Sequence, residues 1–152
     1  MTRTGVILAA TLGSAALLLG AYAFQHLGGL APCKLCIWQR YPHVVAIGVG
    51  LIALQIRHRG LAVIGALAAL ATAGVGVYHV GVEQGWWEGP TSCSAGPIGG
   101  MNADELLDQI LAAPLVQCDQ IAWELLGISM AGWNALLSFG LAGLWLMALR
   151  RA

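Results

Sequence analysis

The feature that most constrains this chain is where its charges are missing. Three stretches, Gly5–Phe24, Leu61–Val82 and Gly127–Leu149, contain no Lys, Arg, Asp or Glu. An α-helix rises about 1.5 Å per residue, so about 20 such residues cross the hydrocarbon core of a bilayer. A fourth run, His43–Ile56, is too short by itself. It reaches spanning length if its helix begins back near Cys36, with Trp38, Arg40 and Tyr41 at the water interface and Pro42 in the first turn. The sequence therefore predicts an all-α membrane protein, a four-helix transmembrane bundle in one membrane domain covering residues 1–152. Its expected spans are about 5–24, 37–56, 61–82 and 127–149. Only 9% of the residues are charged, against roughly a quarter in soluble domains. A soluble bundle would have to hide four uncharged runs in one small core.

The remaining charges fix the expected orientation. All seven acids lie between Glu83 and Glu124, whereas Arg3, Arg57, Arg59, Arg150 and Arg151 lie outside that segment. With four spans, these five arginines share one side, and Lys34 and Arg40 are on the other. The positive-inside rule then predicts cytoplasmic termini and outer loops at about 25–36 and 83–126. Arg3, the apolar run and Ala21-Tyr22-Ala23 also fit a signal peptide, but the run is long for a signal core and a retained span is expected. Within the second outer loop, 85–100 is rich in Gly, Pro and Ser and reads as loop. Ala103–Ala113 spaces Leu106, Leu107, Ile110 and Leu111 as a short amphipathic interfacial helix, capped by Asn102. In the third span Gly65, Ala69 and Ala73 form a small-residue stripe suited to close helix approach. There is no basic stripe with interleaved aromatics, so nucleic acid is not an expected partner.

None of the four cysteines falls inside a clean apolar run. Cys33 and Cys36 form a C-x-x-C in the first outer loop, and Cys93 and Cys118 lie in the second. Three chemistries compete. Both pairs can be structural staples, with a bridge between the second pair contributing roughly 3 kcal/mol. Four thiolates can bind zinc, although zinc ribbons usually carry two closely spaced pairs. The pairs can also exchange electrons. A C-x-x-C closes too short a loop to be a good staple, but it suits reversible dithiol chemistry.

Cys33 follows Pro32 at the expected start of a helix, and Lys34 and Arg40 are the cations nearby. Helix amino termini and cations lower thiol pKa, and the thiolate is the reactive form. His79 and Glu83 lie four residues apart, on one helix face near the outer end of the third span, where ionisable groups are functional candidates. His26, His43 and His58 have no comparable partner in the sequence.

The segment Pro32-Cys33-Lys34-Leu35-Cys36-Ile37-Trp38-Gln39-Arg40 resembles the P-C-x-L-C-I-x-x-R signature of the DsbB family, membrane oxidases of disulfide formation. Cys118-Asp119-Gln120-Ile121-Ala122-Trp123, followed by Leu126-Gly127-Ile128-Ser129-Met130 and Trp133, resembles that family's second-loop cysteine and fourth-helix entrance. Gln39 departs from the pattern, since the family often has glutamate there. The resemblance implies a thiol–disulfide oxidoreductase of the bacterial inner membrane with catalytic Cys33, Cys36, Cys93 and Cys118. Its implied partner is a periplasmic DsbA-like thioredoxin-fold oxidase, and its implied cofactor is a quinone, ubiquinone or menaquinone, from the membrane pool. Arg40 would hold the quinone oxygen, with His79 and Glu83 as further cofactor-binding candidates and no metal. Two alternatives remain. A reductase similar to the vitamin-K-epoxide-reductase family would have its loop cysteines before the C-x-x-C, the reverse of the order here. A non-enzymatic metal-binding or scaffold protein would need no quinone.

Overall fold

The computed structural model describes residues 2–90, 93, 102–112 and 116–151. Among these, the chain forms α1 (Arg3–His26), α2 (Lys34–Gln55), α3 (Arg59–Glu83), α4 (Ala103–Ala112), β1 (Glu124–Leu125), β2 (Ile128–Ser129) and α5 (Met130–Arg150). α1, α2, α3 and α5 are long and apolar enough to cross a bilayer.

Each long helix opens on a side-chain acceptor that takes up an otherwise orphaned backbone N–H. Thr2 Oγ1 accepts from Gly5 at 3.2 Å and Ser129 Oγ from Gly132 at 3.2 Å. His58 Nδ1 accepts from Gly60 at 3.1 Å, and Cys33 Sγ from Cys36 at 3.2 Å. A redox-candidate sulfur is thus also the amino-terminal cap of α2.

α1 and α3 each pack against both α2 and α5, so the four long helices close a ring in the order α1–α2–α3–α5. The core is built largely from small residues: Ala10, Ala53, Ala62, Ala69, Ala142 and Ala148 are all buried around Trp145. The expected stripe on α3 faces α5, where a Cβ on Gly65 would run into the Trp145 indole, and Gly76 lies against Ala135. Large side chains point the other way: Leu12, Leu19, Leu51, Leu67 and Leu136 are all more than half exposed. A bundle with alanine inside and leucine outside is built for lipid, where no hydrophobic force draws helices together and close backbone approach must do so. The fold is a four-helix membrane bundle.

Two local features differ from the sequence reading. α2 starts at Lys34, so Pro42 sits inside the helix and not in its first turn. A proline there lacks the N–H that would bond one turn back. Close to this defect, the Gln39 carbonyl also receives the Thr72 hydroxyl at 3.0 Å. The fourth span starts as a helix only at Met130, because 124–129 form an antiparallel hairpin pairing Glu124 with Ser129 and Leu125 with Ile128. Its two-residue turn holds Leu126 at φ 55° and Gly127 at φ 73°, the left-handed pair that tight hairpins demand. Finally, α4 lies in the expected place. Glu105 N–H donates to Asn102 Oδ1 at 2.9 Å, and Asn102 N–H donates to Glu105 Oε2 at 3.0 Å, a reciprocal capping box. Ala113 and most of 91–101 fall outside the described residues.

Candidate functional site

The 27–33 connection, the end of α3 and the start of α5 lie at the same end of the bundle, opposite the 56–58 turn, and this end gathers all four cysteines. Cys93 and Cys118 form a disulfide with Cα atoms 5.4 Å apart, and the Cys118 N–H donates to the Cys93 carbonyl at 2.6 Å. Both are buried in one cluster with Cys33, Leu35 and Val82. The disulfide takes two of the four sulfurs out of any four-thiolate arrangement. Cys33 and Cys36 are free thiols, the first buried and the second partly exposed.

The Cys33 thiol donates to Cys36 Sγ at 2.9 Å. That hydrogen bond, with burial adding to it, holds the Cys33 thiol well above the ordinary thiol range. The sequence suggested the opposite. The helix start does supply its N–H to Cys33, but the bond to Cys36 and burial outweigh it. The Lys34 ammonium lies 5.7 Å from the centre of the Trp38 ring, and the Arg40 guanidinium stacks over Tyr22 at 4.8 Å.

His79 stands beside the dithiol. Its Nε2 is 3.6 Å from Cys33 Sγ and 3.8 Å from Glu83 Oε1. The Cys118 backbone lies within hydrogen-bonding reach of the same ring. Glu83 in turn accepts a short hydrogen bond from the hydroxyl of Ser129, the cap of α5. On its other edge, His79 Nδ1 meets the Gln39 side-chain nitrogen at 2.9 Å. From there a polar chain continues into the bundle: Asn134 Nδ2 donates to Gln39 Oε1 at 2.8 Å, and Asn134 Oδ1 meets His43 Nε2 at 2.9 Å.

A cavity of about 340 Å³ opens beside these groups, bounded mainly by α1, α5 and the 30–33 and 116–125 segments. Cys33, Cys36, Arg40, His79 and Glu83 all line it, while the Cys93–Cys118 disulfide packs behind Cys33 and does not. Most of the lining is apolar, including Leu17, Phe24, Trp133 and Leu137. Arg40 is anchored by Nη1 donating to Gln25 Oε1 at 2.6 Å and Nη2 donating to the Ala21 carbonyl at 3.4 Å. Its buried Nε–H has no partner among the described residues. The arrangement offers a two-electron donor, a fixed cation with a spare hydrogen-bond donor, and an apolar chamber between them.

The sequence-derived residues thus converge, but several members of the network escaped the sequence reading. Gln25, Thr72 and Asn134 were not singled out, His43 stood without a partner, and Gln39 was only a departure from a pattern. A usable signal existed. Thr72 and Asn134 interrupt apolar runs, and a polar group at that depth is costly unless it is paired.

Residues 3–148 match the protein family described as Disulfide bond formation protein DsbB. Among curated proteins, the chain is 37% identical to Disulfide bond formation protein B of Verminephrobacter eiseniae over 97% of this chain and 86% of that one. It is 36% identical to the protein of the same name from Albidiferax ferrireducens, over 91% and 82% of the two chains. With the Azoarcus protein of that name it shares 35% identity over 98% and 95%. No solved structure gives a significant match. The match runs through the four long helices almost to the end of α5 and includes both cysteine pairs: the chain belongs to the DsbB family of disulfide bond formation proteins.

Proposed function

We propose that this protein is a quinone-dependent thiol oxidase that reoxidises a DsbA-like dithiol carrier. The observation that carries this reading is the meeting of both cysteine pairs in one buried cluster, next to an apolar cavity that holds Cys36 and Arg40. Two staples would have no need of such a chamber or of each other.

The relay runs by thiolate exchange, which conserves disulfides at every step. A carrier thiolate attacks Cys93 Sγ, and Cys118 leaves as a thiolate. Cys118 attacks Cys33, breaking the Cys33–Cys36 disulfide of the oxidised enzyme and releasing Cys36 as a thiolate. The carrier's second thiol displaces Cys93, and the oxidised carrier departs. Cys93 then attacks Cys118, restoring its own disulfide and releasing Cys33 as a thiolate. The two electrons now rest on the Cys33–Cys36 dithiol.

Several features of this chain fit a quinone. The cavity volume falls in the usual small-molecule range, its walls are mostly apolar, and the orphaned Arg40 Nε–H is a buried donor in need of an oxygen. A bound quinone supplies the acceptor, taking two electrons and two protons to become the hydroquinone. Arg40 is a permanent charge that stabilises negative charge developing on that oxygen. Cys36, one helical turn before Arg40, faces the same space, and Glu83 and His79 border it with groups able to hold protons. The direction of flow is set by potential. A DsbA-type carrier sits at about −120 mV, already a strong oxidant, so only an acceptor of higher potential can reoxidise it.

In the same reading, the cysteine end faces the periplasm of a bacterial inner membrane and both termini are cytoplasmic, as the distribution of arginines favours. α4 lies on the bilayer surface. Its Leu107 and Leu111 are one turn apart and exposed, an apolar edge suited to the headgroup boundary.

The test is trapping. With Cys118→Ala, Cys93 stays a free thiol: its thiolate attacks the disulfide of an oxidised DsbA-like carrier, the carrier's second sulfur leaves as a thiolate, and the resulting Cys93 mixed disulfide is expected on non-reducing gels after an acid quench. A folded Cys118→Ala protein that oxidises the carrier at the normal rate would eliminate the relay.

A further inference from the structure

We propose that Gln39 is a positioning residue: it fixes the tautomer of His79 so that an Nε2–H is aimed at Cys33 Sγ, ready to stabilise that sulfur as a leaving thiolate. The proposal rests on the thiol-exchange relay and adds to it the group that assists the step releasing Cys33.

The hydrogen-bond chain has a direction, and two backbone carbonyls set it. The Gln39 side-chain nitrogen lies 3.3 Å from the Leu35 carbonyl. Turning the amide over would place oxygen against oxygen there. Asn134 is pinned in the same way, because its nitrogen lies 3.0 Å from Thr72 Oγ1 and 3.5 Å from the Thr72 carbonyl. The Thr72 hydroxyl donates to the Gln39 carbonyl at 3.0 Å, with His43 Nε2 3.3 Å away, and its oxygen accepts from Asn134. With both amides held, Asn134 donates to Gln39 Oε1, and Gln39 donates to His79 Nδ1. An imidazole nitrogen that accepts carries no hydrogen, so neutral His79 must carry its hydrogen on Nε2.

The other edge of the ring agrees. Nε2 faces Cys33 Sγ, an acceptor, at 3.6 Å, with Glu83 Oε1 at 3.8 Å and the Cys118 backbone also near the ring. One end of the imidazole meets a donor and the other meets an acceptor, so both ends assign the same tautomer. The opposite tautomer would make His79 a base toward Cys33. The observed one makes it a donor, which strengthens as negative charge forms on the sulfur.

The step can be isolated without the carrier or a quinone. In fully oxidised protein, a small thiolate RS⁻ attacks the more accessible sulfur, Cys36. The Cys33–Cys36 bond breaks, an RS–S–Cys36 bond forms, and Cys33 departs as a thiolate holding the electron pair. No proton is needed for the exchange itself, and the His79 Nε2–H supplies the hydrogen bond to the departing sulfur.

Two readouts on full-length protein in detergent test this. In histidine-labelled ¹⁵N NMR, with the His79 signal identified by its loss in His79→Phe, Nδ1 is expected at a pyridine-type shift and Nε2 at a pyrrole-type shift. The reverse assignment in the wild type overturns the proposal, whatever any variant does. In the kinetic readout, Gln39→Leu and His79→Phe are each expected to slow reduction of Cys33–Cys36 by a small thiol about tenfold. The retained Cys93–Cys118 disulfide and unchanged thermal unfolding serve as controls for folding. Unchanged rates in a folded variant also overturn it. A wild-type protein whose Cys33–Cys36 pair exchanges normally but which never oxidises a carrier would instead count against the relay alone.

Discussion

Arg40 on α2 reaches across to Gln25 on α1, its Nη1 donating to the glutamine side-chain oxygen at 2.6 Å. The contact ties the first two long helices together at the cysteine end and holds the guanidinium at the edge of the cavity. It leaves the Nε–H without a partner among the described residues.

Arg40→Met keeps the apolar stem and removes the charge. A charge-assisted hydrogen bond is worth about 1.5–3 kcal/mol, so the quinone-dependent rate or the apparent quinone affinity is expected to fall by roughly one to two decades. Exchange between the carrier and Cys93–Cys118, followed in a single turnover without quinone, should be nearly unchanged. Steady-state assays at varied quinone concentration check this. Normal quinone kinetics in a folded variant would reduce Arg40 to an interfacial anchor.

Cys33 is buried and keeps its proton well above the ordinary thiol range, because it donates to Cys36 and is shielded from water. Alkylation proceeds through the thiolate. In reduced protein at neutral pH, iodoacetamide is therefore expected to modify Cys36 before Cys33. As pH rises further the Cys33 reaction should still lag, since its thiolate forms only at higher pH than an exposed thiol's. Peptide mass mapping of a timed quench reads the order directly, and Cys33 reacting first would show that the proton resides elsewhere.

Gly65 lies under the buried Trp145 indole, whereas Gly74 on the same helix has open space where a Cβ would go. Gly65→Val should wedge α3 away from α5 and destabilise the bundle by about 1–3 kcal/mol, the usual cost of overpacking. Gly74→Ala should be nearly silent. Thermal unfolding in detergent distinguishes the two, and equal effects would mean that α3 and α5 are not held by this close contact.

Much of the architecture is legible in the sequence, because one physical demand writes it. Hydrocarbon excludes charge, so the runs around Ala10, Ala69 and Ala142 announce their helices. The cap of α4 is legible for a similar reason: Asn102 and Glu105 stand at capping-box spacing before an apolar periodicity. The hairpin at 124–129 is not legible, because its turn places Leu126 at positive φ, where a branched side chain gives no turn signal. The site divides in the same way. The cysteines and Arg40 stand out by residue type and position. The Gln39–His79 contact joins residues 40 positions apart, and no local spacing reports which two polar groups a bundle will bring together. The protonation of Cys33 is not legible, because a motif reveals the helix start but not that the thiol is buried and donates to Cys36.

Sidedness can be tested with new cysteines in a background lacking the native four. Position 58 lies in the turn beside Arg57 and Arg59, and exposed Gln84 follows α3 at the cysteine end. In intact cells an impermeant maleimide should label Gln84→Cys and spare His58→Cys. The opposite pattern would invert the topology and put the cysteine cluster in a reducing compartment.

Electrons from a dithiol carrier are expected to leave this protein on a quinone. The most direct measurement is quinone reduction, followed by ultraviolet absorbance, by pure protein in detergent with a reduced DsbA-like carrier as the only donor. The account predicts multiple turnovers at a ratio of one hydroquinone per carrier disulfide formed, lost in Cys33→Ser, Cys36→Ser, Cys93→Ser and Cys118→Ser alike. Carrier oxidation without quinone reduction, or quinone reduction that survives loss of Cys93, would contradict it.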